Sequence, residues 1–258
     1  MSKQEAASFE WSATRWHDSL SAMRSILSWK VFFGVVILSL LALPARANLI
    51  SNGSFETPQV PVGGFTNFTN GSTGITGWIV VGPEASIVST SYVSFGLKFP
   101  AEDGNQWLDL TGDVSNTVEG VEQTIVTTPG ATYDLSYFVG NQVNPGGPYG
   151  TTSAVDVLVN GTKIQEAVNS MGAGGTSQVW EQFSTSFVAT SSSTSIEFLN
   201  EDPRTDNTNG LDNIVLVQGA SPSTVPEPST FIMFALAACA LGFFKYQKAI
   251  LQHLGEIL

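Results

Sequence analysis

Between residues 48 and 224 the side chains able to do chemistry are almost all carboxylic acids. Seventeen Asp and Glu face three cations, Lys98, Lys163 and Arg204, for a formal charge of −14. The stretch holds no histidine and no cysteine; His17, His253 and Cys239 all lie outside it. A Ser-His-Asp or Cys-His nucleophile system therefore lacks its base, and a His/Cys zinc site lacks its ligands. Such a surface repels phosphate backbones, which excludes nucleic acid as a partner, and attracts divalent cations. Two chemistries survive. Paired carboxylates could hydrolyse a glycosidic bond, but seventeen acids make a chance pair inevitable. Glu102-Asp103 and Glu201-Asp202 read more simply as solvated turns or cation ligands, so the expectation is a protein that is not an enzyme. Aromatic side chains could instead hold a sugar, whose apolar C–H face stacks on Trp or Tyr while amides and carboxylates bond its hydroxyls. Trp107 and Tyr149 are the candidate exposed platforms, with Tyr92 behind them. Trp107 alternates with Leu108 and Leu110 and so points away from them, and Tyr149 sits in a Gly/Pro loop. Trp78 and Trp180 are assigned to the core.

Those side chains need a scaffold, and the composition is that of an all-β protein. Thr, Ser, Gly, Val and Asn dominate, with short alternating runs between turn signals. Residues 131–139 alternate well: Tyr133, Leu135, Tyr137 and Val139 share one face, Thr132, Asp134 and Ser136 the other. Pro129-Gly130 turns the chain into this strand from the run 118–127. Runs 154–159 and 162–168 flank Asn160-Gly161, the best short hairpin signal present. Further strands are predicted at 49–51, 77–81, 86–90, 106–110, 179–188, 195–199 and 212–217. About ten or eleven strands without helical periodicity predict a two-sheet antiparallel sandwich over 48–218. Residues 58–74, 141–152, 170–177 and 201–210 read as loops, and 219–224 as a short extended linker.

The two ends are apolar. Residues 23–47 meet the physical criteria of a signal peptide: Arg24 and Lys30, an apolar centre over 31–43, and Ala45-Arg46-Ala47 as an A-x-A cleavage site before Asn48. Met1 and Met23 are alternative starts. At the other end Pro226, Glu227 and Pro228 force an extended approach to an uncharged run over 231–244, closed by Lys245 and Lys248. Such cations hold a helix end on the cytoplasmic side, so a transmembrane helix is expected over about 229–248 within a tail of 225–258.

This order, Val225-Pro226-Glu227-Pro228-Ser229, an apolar helix and a basic end, resembles the PEP-CTERM sorting tail of exported bacterial proteins. The resemblance implies an exosortase, a membrane-embedded enzyme that recognises the Pro-Glu-Pro triplet, and removal of the tail afterwards. It also implies an envelope bacterium that makes extracellular polysaccharide. The protein would then be exported, held transiently at the cell-envelope membrane, and delivered to the cell surface or extracellular matrix.

A second resemblance covers nearly all of the middle region. Asn48-Leu-Ile-Ser-Asn-Gly-Ser-Phe-Glu56 opens it, then Gly77-Trp78, Asp103-Gly-Asn-Gln-Trp-Leu-Asp-Leu110, Val121-Glu-Gln-Thr and Pro129-Gly-Ala-Thr-Tyr-Asp-Leu135. Trp180 and Phe187-Val-Ala-Thr190 come later, and Gly210-Leu-Asp-Asn-Ile-Val-Leu-Val217 closes it. This is similar to the galactose-binding-like jelly roll of carbohydrate-binding modules. The resemblance implies a structural calcium held by Glu56 and Asp212, with Asn213 where a second Asp is common. The other reading of the same residues is that Glu56 caps a turn and Asp212 bonds nearby backbone amides. The expected function is a non-catalytic surface protein that contacts polysaccharide; the alternative is a structural protein that binds other envelope proteins.

Overall fold

The computed structural model describes residues 46–113, 118–203 and 207–219, with Ala238, Gly242, Lys245 and Tyr246 of the tail, which are helical. The sorting triplet Pro226, Glu227 and Pro228, the cleavage-site residue Ala45 and most of the expected transmembrane helix lie outside the described residues. Among the described residues no helix is long and apolar enough to cross a membrane. The chain divides after Ala47, and the unit that begins at Asn48 carries the β structure.

Thirteen strands follow one another: β1 (Phe65–Thr69), β2 (Ile79–Val81), β3 (Glu84–Ser89), β4 (Val93–Ser94), β5 (Leu97–Lys98), β6 (Gln106–Asp109), β7 (Gly120–Val126), β8 (Thr132–Asn141), β9 (Ser153–Val159), β10 (Thr162–Asn169), β11 (Val179–Val188), β12 (Ser193–Asn200) and β13 (Gly210–Gln218). A six-stranded sheet runs β1-β3-β6-β13-β8-β11, a five-stranded sheet runs β10-β9-β12-β7-β2, and β4 pairs only with β5. The strand pairs are antiparallel. The protein is an all-β sandwich of jelly-roll type, as its alternation predicts.

Period-two patterning builds the core. In β8, Tyr133, Leu135, Tyr137 and Val139 are buried while Thr132 and Asp134 are exposed. They meet Val121, Val155, Val157, Ile196 and Phe198 from the five-stranded sheet. Trp78 is 1 % exposed and lies 5.5 Å from the Phe55 ring and 6.1 Å from Phe198, as its assignment to the core requires. Removing such a ring costs about 3–5 kcal/mol.

Two local expectations change. Residues 49–51 form no strand; they are tied to β13 by Leu49 N–H donating to Leu216 O at 2.8 Å, and left-handed φ values at Asn52 and Phe55 break the ladder. The region 58–74 contains β1, a polar edge strand whose pairing with β3 supplies the order that its own pattern does not. As expected, Pro129-Gly130 turns the chain from β7 into β8, which lie in different sheets. Asn160-Gly161 does close a hairpin, with φ of 50° and 73°.

The same alternation loads the outer face of the six-stranded sheet. β3 sends Ala85 and Ile87 to the core and Val88 outward; β6 sends Leu108 to the core and Trp107 outward, opposite Val88. Val88, Phe99, Trp107 and Tyr149 thereby form a second apolar cluster, separate from the sandwich interior.

Candidate active site

A cavity of about 270 Å³ opens on this second cluster. Trp107 and Asp109 of β6 and Ser86 and Val88 of β3 line it, as strand neighbours on one face. The segment around β4 and β5 adds Tyr92, Phe95 and Phe99, and the loop after β8 adds Tyr149.

Aromatic rings form much of the wall, and the polar atoms of Trp107 and Tyr149 are tied off. Phe99 and Trp107 stack at 6.3 Å with 17° between planes, and Tyr149 meets Phe99 edge-on at 5.0 Å. Trp107 Nε1 donates to Phe99 O at 3.0 Å, and Tyr149 Oη donates to Ser94 Oγ at 2.7 Å. Ring faces, negative at the centre and suited to cations and to other π systems, share the cavity with the polar side chains of Ser86, Ser94, Asp113, Asn207 and Thr208. Trp180 supports Trp107 from the side, edge-on at 5.9 Å, with Nε1 donating to Pro100 O at 2.9 Å. It fits there because Gly140 and Gly210 lie beneath it; a Cβ on either would stand 2.8–2.9 Å from the indole. Trp180 is therefore only partly buried and packs against the outer cluster, which corrects its assignment to the core.

Among the described lining residues, Asp109 is the one buried acid. Its Oδ1 accepts three hydrogen bonds: from Thr111 N at 3.1 Å, Thr111 Oγ1 at 2.9 Å and Asn209 N at 3.1 Å. Oδ2 has no hydrogen-bond partner among the described residues. Burial pushes the carboxyl up to about 7, the bonds on Oδ1 pull it back in part, and the nearby Asp113 charge raises it further. Among the described lining residues there is no Lys, Arg or His.

Trp107 and Tyr149 do converge, though not as exposed platforms: they are 0 % and 8 % exposed. The β4–β5 hairpin and the loop after β8 fold across the outer face and cover them. Tyr92 belongs to the same cluster. Sequence reasoning missed Asp109 and Phe99. The signal for Asp109 was its parity with Trp107, which sets an acid on the outward side of an apolar strand.

Glu56 and Asp212 meet elsewhere, on the loop before β6. Glu56 Oε1 accepts from Asn105 N at 2.7 Å and Gln106 N at 2.8 Å. Asp212 Oδ2 accepts from Glu102 N at 2.9 Å and Asp103 N at 3.1 Å, and its Oδ1 from Asn213 N at 2.8 Å. Burial pushes Asp212 up to about 8 although three amides pull the other way. Calcium wants six to eight oxygens with free lone pairs. Here both carboxylates are committed to backbone N–H groups, and among the described residues no group of three or more His, Cys, Asp or Glu is placed to hold a metal. These contacts are those of the amide-bonding reading.

Comparisons with known proteins bear on the chemistry. A family model for HpiC1-like cyclases matches residues 46–216. A cyclase from Fischerella sp. TAU has the same fold, at 18 % identity and a TM-score of 0.50, over 69 % of this chain and 100 % of that one. A second Fischerella sp. TAU cyclase structure, in complex with 4-(1H-indol-3-yl)butan-2-one, is 20 % identical over 67 % of this chain and 98 % of its own, with a TM-score of 0.47. A carbohydrate-binding module, TmCBM61 in complex with β-1,4-galactotriose, is 14 % identical over 67 % of this chain and 99 % of its own, with a TM-score of 0.42. No curated protein matches. The fold is thus shared with a Fischerella sp. TAU cyclase. The family match overturns the expectation of a protein that is not an enzyme; that expectation followed from missing histidines, and the missing histidines exclude only the nucleophile systems that need them.

Proposed function

The chain belongs to the HpiC1-like cyclase family, and we propose that it catalyses an acid-initiated, ring-forming isomerisation of an uncharged, unsaturated compound in the cavity over β6. The observation that carries this reading is Asp109: a buried carboxyl with one oxygen saturated and the other without a partner among the described residues, set beside aromatic rings. With its pKa near 7, a large share of the group carries a proton at neutral pH, as a general acid needs.

The chain's own residues supply the steps. Asp109 Oδ2–H gives its proton to a π-bonded carbon of the substrate, whose electron pair forms the new C–H bond and leaves a carbocation. The faces of Trp107, Phe99 and Tyr149 stabilise that cation without competing as nucleophiles, since their polar atoms are bonded elsewhere. A second π bond attacks to close the ring, and the Asp109 carboxylate removes a proton from the neighbouring carbon. Atoms balance without a co-reactant. Among the described lining residues, Asp109 and Asp113 would meet a phosphorylated or carboxylated substrate with no cation to offset them.

The test is turnover of neutral, polyunsaturated aromatic compounds in D₂O. An isomeric cyclic product carrying one deuterium is expected, and Asp109→Asn should remove it. Cyclisation at the wild-type rate by that variant would reject the mechanism.

Export and exosortase sorting form a separate part of the proposal. Their support is the A-x-A site at Ala45 and Ala47 and the Pro226-Glu227-Pro228 triplet before an apolar run. They would deliver the cyclase to the cell envelope, where deletion of the triplet should change its retention.

A further inference from the structure

We propose that Phe95 is a substrate-contacting residue, held over the cavity mouth by the β4–β5 hairpin to cap the bound compound and select for apolar bulk. The inference rests on the cavity's being the substrate site. Among the described residues, five non-glycine residues have left-handed φ: Asn52, Phe55, Phe95, Asn160 and Asn213. Three are Asn, which tolerates that region; a bulky side chain does not. Of the two Phe, Phe55 is 0 % exposed and packs on Trp78, so burial in the core offsets its strain.

Phe95 has no such offset. It is 80 % exposed, and its ring contact is a single edge-on approach to Tyr149 at 6.2 Å. Yet it occupies the first position of a two-residue hairpin loop, with φ of 51°, followed by Gly96 at 80°. This turn favours Asn-Gly. The molecule builds the same turn a second time, between β9 and β10, and there uses Asn160-Gly161. Two like turns thus carry different first residues, and the one with the costly residue stands at the cavity.

The hairpin is anchored so as to present that ring. Tyr149 Oη donates to Ser94 Oγ at 2.7 Å, Lys98 N to Thr176 O at 2.9 Å and Gln178 N to Lys98 O at 2.9 Å. Its base is fixed by the Tyr92–Phe99 ring contact at 5.6 Å. A compound lying against Phe99 and Trp107 would meet Phe95 from above, and burial of the exposed ring would return what the strained backbone costs.

This makes stability and binding respond in opposite directions, which a structural role would not do. The probe is 4-(1H-indol-3-yl)butan-2-one, titrated calorimetrically against the wild type, Phe95→Asn, Phe95→Trp and Tyr149→Ala. Phe95→Asn should melt at or above the wild-type temperature while its Kd rises about five-fold, in the range one aromatic contact supplies. Phe95→Trp should bind within about two-fold of the wild type. Binding that Tyr149→Ala weakens but Phe95→Asn leaves unchanged would overturn this proposal and leave the cavity reading intact. A lower melting temperature for Phe95→Asn would also overturn it, by making the ring structural. A wild type that does not bind the probe would overturn the aromatic cavity as a binding site, and this proposal with it.

Discussion

Asp109 and Asp212 sit on neighbouring strands of one sheet, both buried, both pushed above the ordinary carboxylate range by that burial, to about 7 and about 8. They differ in where their hydrogen bonds land. Asp212 spends both oxygens on backbone amides and so fastens the loop before β6 to β13. Asp109 gathers all three bonds on one oxygen and leaves the other beside an aromatic cavity. A shifted pKa alone therefore does not mark a reactive group. The free lone pair and the adjoining space do.

Substitution should separate the two acids. Asp109→Asn keeps an oxygen to accept the Thr111 and Asn209 bonds but has no proton to give, so turnover should fall about 10²–10⁴-fold. Its effect on stability should run the other way at alkaline pH. A carboxyl whose folded pKa is about 7 against an ordinary 3.8 contributes stability that is fully present below 3.8 and is lost as pH rises toward 7. At pH 8 the neutral amide avoids a buried charge, and the variant should melt no lower than the wild type. A large drop there would show that Asp109 is structural after all.

Asp212→Ala should do the reverse. It strands three backbone amides, at a cost of about 2–4 kcal/mol. The melting temperature should then fall by about 5 °C or more, given roughly 2–4 °C per kcal/mol in a domain of this size. Activity of the protein that remains folded in the cold should change little. The smallest effect is expected from a chelator: wild-type melting should move by less than about 1 °C. A drop of several degrees would show that Glu56 and Asp212 share a cation, and would dissolve the contrast between the two acids.

Much of the scaffold was legible because period-two alternation is a local signal. β8 and β11 follow directly from it, and Asn160-Gly161 marks its hairpin. β1 and β4–β5 were not legible, since short polar strands at an edge acquire order only from the partner that pairs with them. The site suffered for the same reason. The parity of Trp107 showed which face it takes, but not that a hairpin at 93–98 and the loop carrying Tyr149 would cover it. Asp109 was one of seventeen acids, and only the fold shows which of them loses water on one side and gains ring faces on the other. The absence of histidine was read too widely: proton donation to carbon needs one buried carboxyl and no imidazole.

The central claim is that Asp109 carries a proton at neutral pH within the aromatic cavity. Carboxyl ¹³C NMR of Asp-labelled protein tests it without knowledge of the substrate, with Asp109→Asn assigning the resonance. A titration midpoint near 7 is expected. A resonance that titrates near the ordinary 3.8, leaving Asp109 ionised at neutral pH, would contradict the account.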